Sequence, residues 1–382
     1  MKFLKPIICT FILLGSVSHT SWSVASAEDP PLCKAHAEFP VADFHYSTLD
    51  NGKLNGKDGY AALKALGIKT VFRYYDQRNE TLGCKTLTPG ETDALIENGF
   101  SIAVVFQHKS PDPEQYFDKG SGTKAAKRAL ELARVNGQPE GSAIYFGVDG
   151  ADQRIASGAW WYFLAKGKDL IEGNEGYKRI RGSKTDKEME TLIKQYNAYR
   201  RYAPVRFKDK NGTPLNPGKV KAKHFMPYVG TYFDEINAEF AKVKDSKGRP
   251  RYRIGVYGSG LTCGHLLGSN PVKPASLKPG SRVRGENAKI DFCWLSLSRR
   301  WPGSQEFAKT DKWMLHQQST TKCTAWKRKS GEVAKLDFNR IQAGAKDFGQ
   351  WSKVENRDLT GYLPPIKKKW DGVVAGCYKF QK

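Results

Sequence analysis

The sequence predicts an α/β fold: a modified (β/α)8 TIM-type barrel with a basic insertion after the fourth strand. Strand-like and helix-like segments alternate, and the strands are apolar on both faces, as parallel strands covered by helices are. Repeated β-α units give either a doubly wound sheet or a barrel. Eight strand candidates favour the closed barrel. They are residues 41–47, 69–76, 101–108, 142–148, 252–260, 289–298, 312–320 and 334–341.

Helical patterns separate most of these strands. The clearest helix, 88–99, has Thr88 as its cap, Pro89 as its first residue and Glu91 three residues after the cap, which is the capping-box spacing. The other predicted helices are 59–67, 122–137, 228–243 and 261–268, with partial helix at 186–200. Helices become fewer in the second half of the chain.

The first 27 residues read as a signal peptide. A short basic start precedes an apolar run too short to span a bilayer, and Ala25-Ser26-Ala27 fits a small-x-small cleavage site. An uncleaved N-terminal anchor is the alternative. We predict a secreted, periplasmic or envelope protein with no transmembrane segment after cleavage. The predicted domains are the leader 1–27, the barrel 38–345 with an insertion at about 150–225, and a basic extension 346–382.

The cysteine count and the charge indicate the compartment and the partners. Six cysteines follow the leader, so up to three disulfides are plausible in an oxidising compartment, and none forms a C-x-x-C pair. The formal net charge of +23 favours a polyanionic partner such as cell-wall polymer, although generic solubility explains it too. Between residues 166 and 223, Lys and Arg outnumber Asp and Glu by 16 to 7. This segment is either a clamp for an anionic polymer or a solvated loop.

Four aspartates lie in or just after predicted strands, where a parallel barrel gathers its reactive groups. Asp43 lies on the first strand, Asp76 ends the second, Asp149 ends the fourth and Asp337 lies on the last. Paired carboxylates suit glycoside hydrolysis, in which one protonates the leaving oxygen while the other attacks, stabilises charge or activates water. Aromatic residues on the same strands, which also serve as ordinary core, suit stacking on sugar rings: Tyr74, Tyr75, Tyr145, Tyr257 and Trp294.

Other chemistries fit less well. Gly258-Ser259-Gly260 follows a strand roughly as in a dinucleotide-binding turn, but the third glycine, Gly264, comes one residue late. Ser259 has no glycine two residues before it, so the nucleophile-elbow pattern fails. The histidines show no metal-ligand spacing, and we expect neither a metal nor a cofactor. His45 and His316 are candidates either for the pocket or for packing.

Seven segments, in order, resemble the glycoside-hydrolase-like domain of unknown function 1906, a relative of the family 25 glycoside hydrolases (Chalaropsis-type muramidases). They are ADFHYS, FRYYD, IYFGVD, IGVYGSG, WLS, MLHQQS and LDFN, within residues 38–345. The resemblance implies a modified barrel and a peptidoglycan or amino-sugar substrate. It implies catalytic roles for Asp43, Asp149 and Asp337. The substrate-binding residues expected with it are Asp76, Arg73, Tyr74, Tyr145, Tyr257, Trp294 and Gln317.

One departure from the muramidase pattern bears on activity. Those enzymes end the fourth strand with Asp-x-Glu, and here the first acid falls on Gly147 and the second is shortened to Asp149. The first hypothesis is therefore a peptidoglycan hydrolase with Asp149 as general acid, assisted by a substrate N-acetyl group. The second is a non-catalytic glycan-binding protein on the same barrel. The third, an extracellular nucleic-acid binder driven by net charge, is not favoured.

Overall fold

A computed structural model describes most of the predicted barrel. The described residues are 37–45, 47–48, 58–77, 80–81, 85–108, 113–156, 185–200, 207–208, 211–213, 215, 220–296, 301–318, 326–327, 333–334, 336–362 and 366–367. The predicted signal peptide, residues 157–184 of the predicted insertion and four of the cysteines lie outside them. Those cysteines are Cys33, Cys84, Cys323 and Cys377.

Eight strands form a closed barrel, which confirms the predicted fold class. Neighbouring strands in the barrel are also successive barrel strands in the chain, except where the last strand pairs with the first and closes the barrel. The strands are β1 (Val41–Asp43), β2 (Thr70–Tyr75), β3 (Ser101–Phe106), β4 (Ala143–Gly147), β5 (Arg253–Gly258), β6 (Phe292–Leu295), β7 (Leu315–Gln317) and β8 (Asp337–Ile341). Two small sheets pair Glu80–Thr81 with Ile366–Lys367 and Trp326–Lys327 with Val333–Ala334.

The last strand departs from the all-parallel barrel that the sequence pattern predicts. Strands β1 to β7 are mutually parallel, whereas β8 is antiparallel to both β7 and β1. Because β8 runs backwards, its first residue, Asp337, lies at the same rim as the final residues of the parallel strands. The reversal therefore still delivers the predicted acid to the expected end of the barrel.

The helices surround the barrel wall, and their ends follow local sequence signals. They are α1 (Gly59–Ala65), α2 (Pro89–Glu97), α3 (Ser121–Val135), α4 (Ala151–Ala156), α5 (Asp186–Arg200), α6 (Ala222–Phe240), α7 (Gly260–Leu267) and α8 (Ser304–Ala308). Short 3-10 turns span Pro113–Tyr116 and Pro274–Ser276. Helix α6 begins before Pro227 rather than after it, so the predicted start at residue 228 was wrong.

Alternation along the strands decides which side chains enter the barrel. An inner cluster of buried residues includes Phe72, Tyr145, Trp294 and Phe348. The Phe72 and Trp294 rings lie 4.2 Å apart between centroids, and Tyr145 meets both rings edge-on. Gly255 gives the Tyr145 ring its room, because a Cβ there would overlap that ring. The barrel interior is therefore a packed aromatic core beneath the upper rim.

Arg73 points the other way, into the layer between barrel and helices. It is fully buried and pairs with Glu91 of α2, with 2.9 Å between Nε and Oε1. The same carboxylate accepts hydrogen bonds from the amide and hydroxyl of Thr48. Thr88 caps α2 as predicted, accepting from the amide of Glu91. The Glu91 carboxylate, which the capping box assigns to the helix end, instead neutralises a buried cation.

Residues after the predicted barrel boundary at 345 lie against the lower end of the strands. The Phe348 carbonyl accepts a hydrogen bond from Tyr145, and Trp351 forms a backbone bridge with Ile102. One disulfide, Cys263–Cys293, joins α7 to β6 across a sequence separation of 30 residues. Ser259 caps α7 by accepting from the Thr262 amide and is fully buried, which gives this serine a structural task. No described helix has the length and apolarity needed to cross a membrane.

Candidate active site

Two of the predicted acids meet where the barrel closes. Asp43 ends β1, Asp337 begins β8, and the two are direct register partners, so their side chains enter the same face. The amide nitrogen of Gln317 lies 3.3 Å from both carboxylate oxygens of Asp43 and 3.3 Å from Oδ2 of Asp337. One NH2 group therefore bridges the two acids.

Neighbouring polar groups fix this pair in place. Asn339 donates to Oδ1 of Asp43 at 2.8 Å and accepts a 2.7 Å hydrogen bond from the indole of buried Trp294. The Tyr257 hydroxyl donates to Oε1 of Gln317 at 2.7 Å, which turns the Gln317 NH2 toward the acids. The Tyr74 hydroxyl lies 3.5 Å from Oδ2 of Asp43. The aromatic layer thus orients the acids through Asn339 and Gln317.

Burial makes both acids hold protons more strongly than an exposed aspartate. Desolvation, and next the charge of Asp337, raise the pKa of Asp43 well above its ordinary value despite hydrogen bonds that oppose the shift. Desolvation and then the charge of Asp149 raise the pKa of Asp337 to about 6. Oδ1 of Asp337 has no hydrogen-bond partner among the described residues. Asp337 is therefore a partly exposed acid with a proton to deliver near neutral pH.

Asp149 lies beyond the end of β4 in a left-handed backbone conformation, with φ of 43°. Gln107, just after β3, donates from Nε2 to Oδ2 of Asp149 at 2.9 Å. The Gln107 side chain passes beside Gly147, where a Cβ would lie 3.3 Å from its Cγ. The space that an acid at Gly147 would need is therefore bordered by a neutral amide.

Lys85 and Gln107 both belong to this region, and neither was predicted from the sequence. The Lys85 ammonium donates to Oε1 of Gln107 at 2.8 Å and lies 4.6 Å from the centre of the Tyr74 ring. Gln107 thus spans a cation and an anion, since its other amide atom holds Asp149. Gln107 could have been found from its place directly after β3 on the inward-facing alternation. Lys85 follows no strand of the barrel, and its sequence context contains no comparable signal.

The remaining predicted contacts divide into two groups. Tyr74, Tyr257 and Gln317 join the acids, as described. Arg73 faces the helices, and Tyr145 and Trp294 are buried in the layer beneath, so a direct substrate contact, as predicted for these three, has no support in their positions. His316 is also largely buried, and desolvation lowers its pKa to about 4.

Asp76 lies apart from the bridged pair, at the end of β2. Its carboxylate holds Nδ1 of His108 at 2.8 Å. His108 lines a cleft of about 260 Å³ together with Gln77, Phe106, Lys124 and Tyr232. Asp76 therefore contacts His108, which lines this cleft.

This arrangement supplies the groups that acid-assisted glycoside cleavage needs. A carboxyl group with a raised pKa (Asp337) and a second carboxylate (Asp149) lie within electrostatic reach of each other, and both are partly exposed. Tyrosine rings border them. Two carboxyl groups with different environments separate into an acid and a charged partner.

Comparison with known proteins finds similarity over part of the chain. FadG, an uncharacterized protein of Bacillus subtilis strain 168, is 30% identical over 92 residues, which is 24% of this chain and 16% of FadG. The Tat-secreted protein Rv2525c of Mycobacterium tuberculosis is similar in structure, with 17% identity and a TM-score of 0.41, over 82% of this chain and 99% of that one. The modular autolysin LytC of Streptococcus pneumoniae has 10% identity and a TM-score of 0.35, over 78% and 45%. Residues 61–179 match the Rv2525c-like, glycoside hydrolase-like domain, which confirms the predicted resemblance to glycoside-hydrolase-like proteins.

Proposed function

We propose that the protein is an exported glycoside hydrolase acting on peptidoglycan or a related amino-sugar polymer of the cell wall. The observation that carries the proposal is the bridged pair Asp43–Asp337, with raised pKa values and Asp149 within electrostatic reach. The match of residues 61–179 to a glycoside-hydrolase-like domain supports the reaction class. The N-terminal leader pattern supports export.

The geometry favours a different division of roles from the one predicted from sequence. Both Asp43 and Asp337 have a raised pKa, but Asp337 is partly exposed whereas Asp43 is buried, so Asp337 is the better proton donor. Asp149, held by Gln107, is the charged partner that stabilises the developing cation. Asp43 is buried and makes its contacts to Asn339, Gln317 and Tyr74, so it positions the site.

In the proposed reaction, Asp337 protonates the glycosidic oxygen as the bond to the anomeric carbon breaks, and the leaving sugar keeps the bonding electrons. Water then adds to the anomeric carbon, and its proton restores the acid. An N-acetyl group on the substrate can act as internal nucleophile, so that a carboxylate at position 147 is not required. Tyr74 and Tyr257 provide ring faces and hydroxyls next to the acids.

A second candidate function is glycan binding without cleavage. It is favoured by Gln107, whose side chain lies beside Gly147 where muramidases have an acid, and by Lys85, which donates a hydrogen bond to Gln107. A neutral amide and a cation suit holding a sugar better than activating water. The carbohydrate partner is the same in both candidates, so activity decides between them.

The experiment measures reducing ends released from purified peptidoglycan by the wild type, Asp337→Asn and Asp149→Asn, with pull-down of the same material in parallel. Asp311→Asn serves as a control, because this exposed aspartate pairs with Lys273 away from the bridged pair. Release that both site variants lose and the control keeps supports hydrolysis. Pull-down without release by any protein supports the binding function. If no protein releases reducing ends and none is pulled down, both functions are overturned.

A further inference from the structure

Lys85 is a shielded cation that has no carboxylate partner among the described residues. Its side chain is half-buried, and its ammonium makes one hydrogen bond, to the Gln107 amide oxygen, beside the Tyr74 ring. An ammonium has three N–H donors. The Gln107 amide oxygen accepts one of them and the Tyr74 ring lies beside the ammonium, so donor capacity remains that no described residue uses.

Gln107 prevents the obvious internal pairing. Its amide oxygen faces Lys85 and its amide nitrogen faces Asp149, so the cation and the anion are separated by one side chain. Burial lowers the pKa of Lys85, while the charges of Asp76 and Asp149 favour its protonated form. A cation desolvated in this way gains more from an incoming anion than an exposed lysine does.

We propose that Lys85 is an anion subsite that binds the carboxylate of an acidic sugar next to Asp149. The inference rests on the proposed function and adds the substrate class. A single ammonium over a tyrosine face suits one monovalent carboxylate on a ring. Asp76 and Asp149 lie within electrostatic reach and repel a doubly charged phosphate more strongly than a carboxylate.

Two kinds of sugar carry such a group: sugars with an ether-linked lactyl carboxylate and uronic acids. The test uses calorimetric titration with three disaccharides. N-acetylglucosamine linked to N-acetylmuramic acid carries the lactyl group, glucuronic acid linked to N-acetylglucosamine carries the uronic group, and diacetylchitobiose is neutral. Retention on purified peptidoglycan is measured alongside.

Lys85→Met removes the charge and keeps the hydrocarbon stem. Lys64→Met is the matched control, because Lys64 is exposed on α1 and also lies over an aromatic ring, that of Phe100 at 6.0 Å. Lys85→Arg retains the charge. Melting curves of all variants show whether the fold is kept.

The wild type is expected to bind one of the acidic disaccharides at least about tenfold more tightly than diacetylchitobiose, the worth of one charge-assisted hydrogen bond. Lys85→Met should abolish this preference, because only the acidic disaccharides lose a charge-assisted hydrogen bond. Lys64→Met and Lys85→Arg should keep the preference.

A preference that survives in Lys85→Met, or a wild type without preference that still binds diacetylchitobiose or peptidoglycan, overturns the subsite and leaves the proposed function intact. A wild type that binds none of the three disaccharides and is not retained on peptidoglycan overturns both the subsite and the proposed function. The lactyl and uronic arms identify which acidic sugar the subsite takes.

Discussion

Asp43 and Asp337 are directly opposite each other in the antiparallel strand pair that closes the barrel. Like charges in this relationship repel, and burial strengthens the repulsion. The Gln317 amide between them eases but does not remove the conflict, because the pKa of each acid stays raised. The pair therefore keeps a proton up to a higher pH than an exposed aspartate does.

The first prediction concerns the stability of Asp337→Asn. The pKa of Asp337 is about 6 in the fold, against 3.8 for an aspartate in the unfolded chain. The folded state therefore holds the proton more strongly than the unfolded state does. Wild-type stability therefore falls as pH rises through this window. Above pH 6 the variant should be more stable by about 1–3 kcal/mol, and below pH 4 the difference should vanish.

Urea unfolding at pH 4 and pH 7.5 measures this difference. Asp311→Asn should behave oppositely, because pairing with Lys273 lowers the pKa of Asp311, so the variant should lose stability at pH 7.5 and still be less stable than the wild type at pH 4. A pH-independent effect of Asp337→Asn would contradict the assigned protonation.

The second prediction concerns Gln317→Leu, which removes the bridging NH2. The Gln317 amide donates to Oδ2 of Asp337, the proposed proton donor, and so favours its charged form; loss of this hydrogen bond should raise the pKa of Asp337. We expect the high-pH limb of peptidoglycan cleavage to move upward and the rate to fall by about 10- to 100-fold, the effect of misplacing a reactive group by about 1 Å. The measurement is a pH–rate profile, and an unchanged profile would remove Gln317 from the site.

The third prediction concerns the buried ion pair behind the barrel wall. Glu91→Gln removes the described counter-charge of the buried Arg73 cation, which should cost about 3–5 kcal/mol of unfolding free energy. Glu131→Gln is the control, since its pair with Arg128 is partly exposed and should cost less than about 1 kcal/mol. Equal losses in denaturant unfolding would mean that Arg73 finds another partner.

The fourth prediction concerns two glycines. Gly255→Ala should cost about 3 kcal/mol, because the new methyl group overlaps the Tyr145 ring in the packed interior. Gly264→Ala, within α7, should instead gain about 0.5–1 kcal/mol, because its Cβ meets Phe307 at an ordinary 3.7 Å and alanine favours helix. Chemical denaturation measures whether the free energy of unfolding falls in Gly255→Ala and rises in Gly264→Ala.

Much of the fold could be predicted because barrel strands carry local signals. All eight apolar runs became barrel strands, and Thr88 and Pro89 correctly marked the start of α2. The direction of β8 could not be predicted, since periodicity is the same for parallel and antiparallel strands. The start of α6 was missed because Pro227 reads locally as a helix boundary.

The candidate site was predicted less completely. The acids were found because strand ends converge on one rim. The amide bridge of Gln317, the separation of Lys85 from Asp149 by Gln107, and the outward direction of Arg73 depend on contacts between distant segments. Burial, which sets the proton affinity of Asp337, likewise depends on the assembled barrel.

The pairing of β1 with β8 has a consequence for the order of assembly. The hydrogen bond from Asn339 to Asp43 joins residues 296 positions apart. Contacts of such separation form slowly and late in folding. A growing chain that has not yet produced β8 has a first-strand aspartate without its opposite acid. The two acids can therefore meet only once β8 has been made, so truncated or half-made chains lack the bridged pair.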